Sequence, residues 1–119
     1  MCLSKVWEVY KKPKPETIVA WAAFDIENSR LRFRFQSLRE RWIVPRRRWL
    51  KAAGPRMLAS YFDGLYPVGF HKYATRRGAR EYAKTRSEVK VHRVLLRRVV
   101  AVGEQKGAKV YVAKEMFVP

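Results

Sequence analysis

One cysteine, Cys2, in 119 residues excludes an intrachain disulfide and fits a reducing, cytoplasmic setting. Histidine is nearly as scarce: His71 and His92 are the whole supply, and with Cys2 they form no zinc-ligand spacing. No metal site is expected. A membrane-spanning helix needs roughly 20 mostly apolar residues, whereas the longest apolar run, TIVAWAAF, covers only residues 17–24. The opening MCLSKVWEVYKK has no apolar stretch followed by a small-residue cleavage site, so no secretory leader is expected. Anionic lipid attracts positive charge, but the lack of a basic amphipathic helix with a large apolar face argues against a membrane partner. There is no P-loop, dinucleotide fingerprint or nucleophile elbow. Acidic residues number ten, and Asp25 and Glu27 are a closely spaced pair that shares a face on a strand. Such a pair in a basic cleft suits Mg²⁺-assisted nuclease chemistry, but two ordinary surface acids at a strand end is the simpler reading. No cofactor, small-molecule substrate or enzymatic activity is expected.

What the chain does have is aromatic bulk and positive charge. Four tryptophans, six tyrosines and six phenylalanines in a sequence that is 48% hydrophobic exclude disorder as the default. The length suits a single domain over residues 1–119 with a real core. The formal charge is +17. Between Arg30 and Arg98 lie sixteen arginines and four lysines against four acids, so nearly all the excess sits in that segment. Charge carried for solubility would be spread along the chain and built from both signs. Arginine presents a planar fork of donors that grips phosphate or carboxylate and stacks on bases or aromatic rings.

Local patterning predicts mostly strands. LSKVWEVYKK reads as a first strand stopped by KPKP, and ETIVAWAAFDIENS as a second, with a buried helix as the alternative. ENSR reads as a turn. RLRFRF alternates strictly, with Leu31, Phe33 and Phe35 on one side and Arg30, Arg32 and Arg34 on the other. WIVPRRRWLKAAGP is expected to end a short strand at Pro45 and begin one or two helical turns closed by Gly54-Pro55. In RMLASYFDGLYPVG, Asp63-Gly64 and Pro67 mark turns around Leu65 and Tyr66. FHKY reads as a strand, and Thr75 as the N-cap of a helix, RRGAREYAKT, whose Ala79, Tyr82 and Ala83 share a face. EVKVHRVLLRRVVAV is strongly β, with a change of phase between Val91 and Val94 that suggests a bulge or corner. GEQKGAK is a turn and VYVAKEMF a last strand. Together these predict an α+β domain around a strongly bent, mainly antiparallel sheet with one or two short helices.

Three groups of cations stand out. Arg30, Arg32 and Arg34 form a ladder spanning on the order of 13 Å, followed by Arg39, Arg41, Arg46, Arg47 and Arg48. Arg76, Arg80 and Lys84 recur at i, i+4 and i+8 on the predicted helix, beside Arg77. Arg93, Arg97 and Arg98 lie on the following strand. A row of cations that follows backbone phosphates releases condensed counterions on binding. Solvated, aggregation-resisting faces are the blander account of the same pattern. Most aromatic residues must be core, and Trp42 and Trp49, flanked by arginines, are the two expected to be partly exposed for stacking.

GFHKYATRRGAREYA, residues 69–83, resembles the strand-then-helix segment of ADP-ribosyltransferase-like folds, and the matching stretch of small phage and prophage proteins. The resemblance runs over residues 69–115. It implies that His71 and Tyr73 would line a nicotinamide pocket and that Glu115 would stand where that superfamily keeps its catalytic glutamate. The sequence departs from the pattern in having no Ser-Thr-Ser strand, and AKE lacks the acid or amide two residues before the glutamate. A degenerate scaffold reused for binding follows more readily than an active transferase.

The leading expectation is therefore a non-enzymatic nucleic-acid-binding protein that engages phosphates through arginine, favouring RNA or single-stranded DNA. The alternative partner is a host nucleoprotein complex, bound by an inhibitor of the anti-CRISPR type whose arginines meet carboxylates instead.

Overall fold

The computed structural model describes residues 3–27, 29–32, 43–52, 57–59, 65–85 and 88–119, the side chains of residues 27 and 57–59 aside. In chain order these form β1 (Lys5–Lys14), β2 (Ile18–Glu27), β3 (Arg30–Arg32), β4 (Trp49–Lys51), β5 (Met57–Ala59), β6 (Leu65–Pro67), β7 (Phe70–Tyr73), α1 (Arg76–Ala83), β8 (Val89–Gln105) and β9 (Ala108–Phe117). With one eight-residue helix against nine strands among the described residues, the domain is mainly β, not α+β. Part of the correction lies at Trp49–Lys51. The expected helical turn is instead an edge strand, because Trp49, Leu50 and Lys51 pair with Phe117, Met116 and Glu115 of β9.

Seven strands form one antiparallel sheet, ordered β1-β8-β2-β7-β9-β4, with β3 on β2 and β5-β6 as a separate hairpin. The 17-residue β8 organises it. One edge of β8 meets β2 over Val89–Leu96 and then β1, while its other edge pairs with β9 from Leu95 to Gln105. A single bridge, Trp21 to Tyr73, joins β2 to β7, so the pairing β8-β2-β7-β9-β8 closes on itself. The bend comes later than the hydrophobic phase suggested. Pairing with β2 is unbroken from Val89 to Leu96, and the register shift lies between Val99 and Ala101, beside Arg98 at φ 58°.

Alternation along β2 sorts the core into two clusters. Ala20, Ala22 and Phe24 pack with Val94, Leu96 and Met116. Trp21 faces the other way, toward Tyr73, Ala79, Tyr82 and Val91. Helix α1 covers that second cluster with its Ala79 face. It starts where Thr75 Oγ1 accepts a hydrogen bond from the Gly78 amide at 3.0 Å, satisfying an amide that the first helical turn leaves open. The β8-β9 hairpin closes through Lys106 and Gly107, both at positive φ, as a two-residue turn matching the strand twist requires. The first strand runs on through Pro13 to Lys14, past the expected stop, and an edge position tolerates the missing amide.

Candidate nucleic-acid interface

The β2-β3 pairing sets two arginines of the ladder across from acids, an arrangement that the sequence alone does not give. Arg32 lies opposite Asp25 and Arg30 opposite Glu27 in the β2-β3 pairing. Directly opposed residues on an antiparallel pair share a face with Cβ atoms about 5 Å apart. The acidic pair read as incidental therefore lies across the strand from Arg30 and Arg32, and Asp25 is buried. Leu31 is buried as expected. Arg34, Arg39, Arg41 and Trp42, with Phe33 and Phe35, lie outside the described residues.

Arg46, Arg47 and Arg48 occupy an exposed connection into β4. Arg46 is held: its Nε donates to the Pro119 carbonyl at 2.8 Å, and its Nη2 lies 3.3 Å from His92 Nε2. Arg47, at φ 61°, donates its amide to Val118 while its side chain stays exposed. Next along the chain, half-buried Trp49 packs on Phe117 with ring centroids 5.6 Å apart. The Arg97 guanidinium lies 3.9 Å above the indole. Arg97 Nε and Nη2 both donate to Glu115 Oε1, at 3.0 and 2.7 Å, and Arg98 Nε lies 3.5 Å from Glu115 Oε2. Lys51 is the cross-strand neighbour of Glu115 on its other side.

A second aromatic centre forms around Trp21. Arg76 of α1 sits 5.7 Å from the ring centroid, and Arg93 is its direct partner across β2-β8. Sequence reading left Trp21 out of the site. Its signal was phase: it is the large residue on the side of β2 opposite Ala20, Ala22 and Phe24. Arg77 and Arg80 are exposed on the same helix, and Lys84 is paired with Glu81 at 3.1 Å.

The residues singled out by resemblance are integrated into packing and pairing. His71 and Tyr73 share a face of β7, both buried. The Gly69 carbonyl can only accept, so His71 Nδ1 donates to it at 3.0 Å, which leaves Nε2 to accept from the Tyr66 hydroxyl at 2.9 Å. That hydroxyl in turn accepts from the Leu3 amide at 2.8 Å. Burial lowers the His71 pKa to about 4, opposed by the Gly69 bond. Burial also raises Tyr73 to about 12, and it lowers Lys72, whose ammonium lies 5.2 Å from the Phe24 ring, to about 8. Glu115 is buried and held by two arginines.

Among the described residues no cluster of three or more metal-ligating side chains occurs, and no helix is long and apolar enough to cross a membrane. No protein-family model matches this chain, and neither a curated protein nor a solved structure matches it.

Proposed function

We propose that this protein binds nucleic acid through its phosphate backbone. The observation that carries the reading is a set of six exposed arginines, Arg47, Arg48, Arg76, Arg77, Arg80 and Arg93, with no acidic partner among the described residues. Unpaired like charges at this density repel one another, and a polyanion relieves that repulsion while releasing its own counterions. Two half-buried tryptophans carry a guanidinium over the ring: Arg76 lies over Trp21, whose cross-strand neighbour is Arg93, and Arg97 lies over Trp49, which follows Arg48 in the chain. This combination of cations with aromatic planes suits phosphate and base together.

Among the described residues the single helix, α1, has eight residues and no second helix beside it, so no helix-turn-helix pair supports base readout, and the reading is one of binding without base-sequence readout. The test is a salt titration of binding to short RNA, single-stranded DNA and duplex DNA. Micromolar or tighter binding with a steep log–log salt slope is expected. Replacing Arg76, Arg77 and Arg80 by alanine should flatten that slope. Absence of binding to all three at low salt would overturn the reading and direct attention to a protein or nucleoprotein partner.

A further inference from the structure

Arg97 and Arg98 are consecutive in β8, and consecutive residues of a regular strand point to opposite faces. Here both guanidinium groups reach one carboxylate, that of Glu115. The departure comes from Arg98, whose φ of 58° lies beside the register shift in the β8-β9 pairing. Glycine adopts that conformation freely, whereas an arginine there is strained by roughly 1 kcal/mol. Strain of this kind concentrates at sites where geometry matters. Its effect is to gather two cations on one carboxylate, and one of them, Arg97, lies over Trp49.

The two arginines then differ in what they have left to offer. The Arg97 guanidinium carbon lies 3.9 Å from the centre of the Trp49 ring, close enough for the two planes to stack, and two of its N–H groups are tied to Glu115 Oε1. Its orientation is set, yet its side chain is still 39% exposed. Arg98 is 59% exposed and touches Glu115 at only 3.5 Å. A guanidinium plane locked over an indole extends that aromatic surface outward, and nucleobases stack on such planes. Bases inside a duplex are already stacked on both sides, so only an unpaired base can use the seat.

We propose that the Trp49–Arg97 stack seats one unpaired nucleobase while Arg98 meets the adjoining phosphate, which makes single strands the preferred partner. This rests on the nucleic-acid reading above and names its substrate class. The experiment compares labelled oligothymidylate with a labelled duplex by fluorescence anisotropy, using wild type, Arg97→Lys and Trp49→Ala. Lysine keeps the charge facing Glu115 but has no plane to stack on. Arg97→Lys should bind the single strand about tenfold more weakly at an unchanged salt slope, with duplex affinity unaltered. Trp49→Ala should do the same.

An Arg97→Lys protein that binds the single strand like wild type, or loses both substrates equally, overturns the seat. Wild type that binds neither substrate instead sinks the nucleic-acid reading itself. Should Trp49→Ala fail to unfold cooperatively, the Arg97→Lys comparison decides, because that change is confined to the end of a partly exposed side chain.

Discussion

His71 makes the stability of this fold depend on pH in a direction that can be worked out in advance. Burial holds its pKa at about 4, against 6.5 in an unfolded chain. The folded state therefore binds fewer protons, and its stability rises with pH between those values. Above pH 6.5 the contribution is fully present. As pH falls it is lost, by about 2 kcal/mol at pH 5 and about 3 kcal/mol once pH drops below 4. Protonation puts a second N–H on the ring at Nε2, so Nε2 no longer accepts from Tyr66, and the buried hydroxyl, already accepting from Leu3, loses the acceptor for its own hydrogen. The assay is urea unfolding at pH 7 and pH 5 for wild type and His71→Gln, a side chain that does not titrate. Glutamine costs stability at pH 7, but the gap between the two proteins should narrow by about 2 kcal/mol at pH 5. In thermal melts the same loss would lower the wild-type midpoint by about 8 °C relative to the variant. A constant gap, or an NMR titration of His71 with its midpoint near 6.5, would refute the reasoning.

Three further outcomes are expected. Gly69→Ala places a Cβ 2.6 Å from the Ala113 carbonyl oxygen, so it should destabilise the β7-β9 pairing by about 1–3 kcal/mol, read from the denaturation midpoint. Thr75→Ala leaves the Gly78 amide without its acceptor and should cost about 1 kcal/mol, with Thr75→Asp restoring most of it. Glu115→Gln keeps an acceptor for Arg97 but removes the negative charge facing both arginines. Affinity for a single-stranded oligonucleotide should then rise several-fold with a steeper salt slope, and weaker binding would count against Arg98 as a phosphate contact.

Much of the local structure was legible from residue order. Strict alternation in RLR, the β-branched and aromatic run of β2, the Thr75 cap and the Lys106-Gly107 turn each encode a conformation through their own neighbours. So does the concentration of arginine between positions 30 and 98. None of these needs a distant partner to be recognised.

What the tertiary structure alone decided is who meets whom. Trp49–Lys51 reads locally as the start of a helix and becomes a strand only because the edge of β9 is there to pair with it. The closure of β2 on β7 through Trp21 and Tyr73 joins residues 52 positions apart in the sequence. Arg30 and Arg32 look like a free cationic row until β2 sets Glu27 and Asp25 across from them. The Arg97–Arg98 arrangement is invisible for the same reason. Alternation assigns consecutive residues to opposite faces, whereas the left-handed Arg98, just before a register shift, reaches Glu115 together with Arg97. Composition and periodicity determine which side chains are carried on which local surface. Strand pairing between distant segments determines which of those charges are neutralised, and which remain to meet a partner.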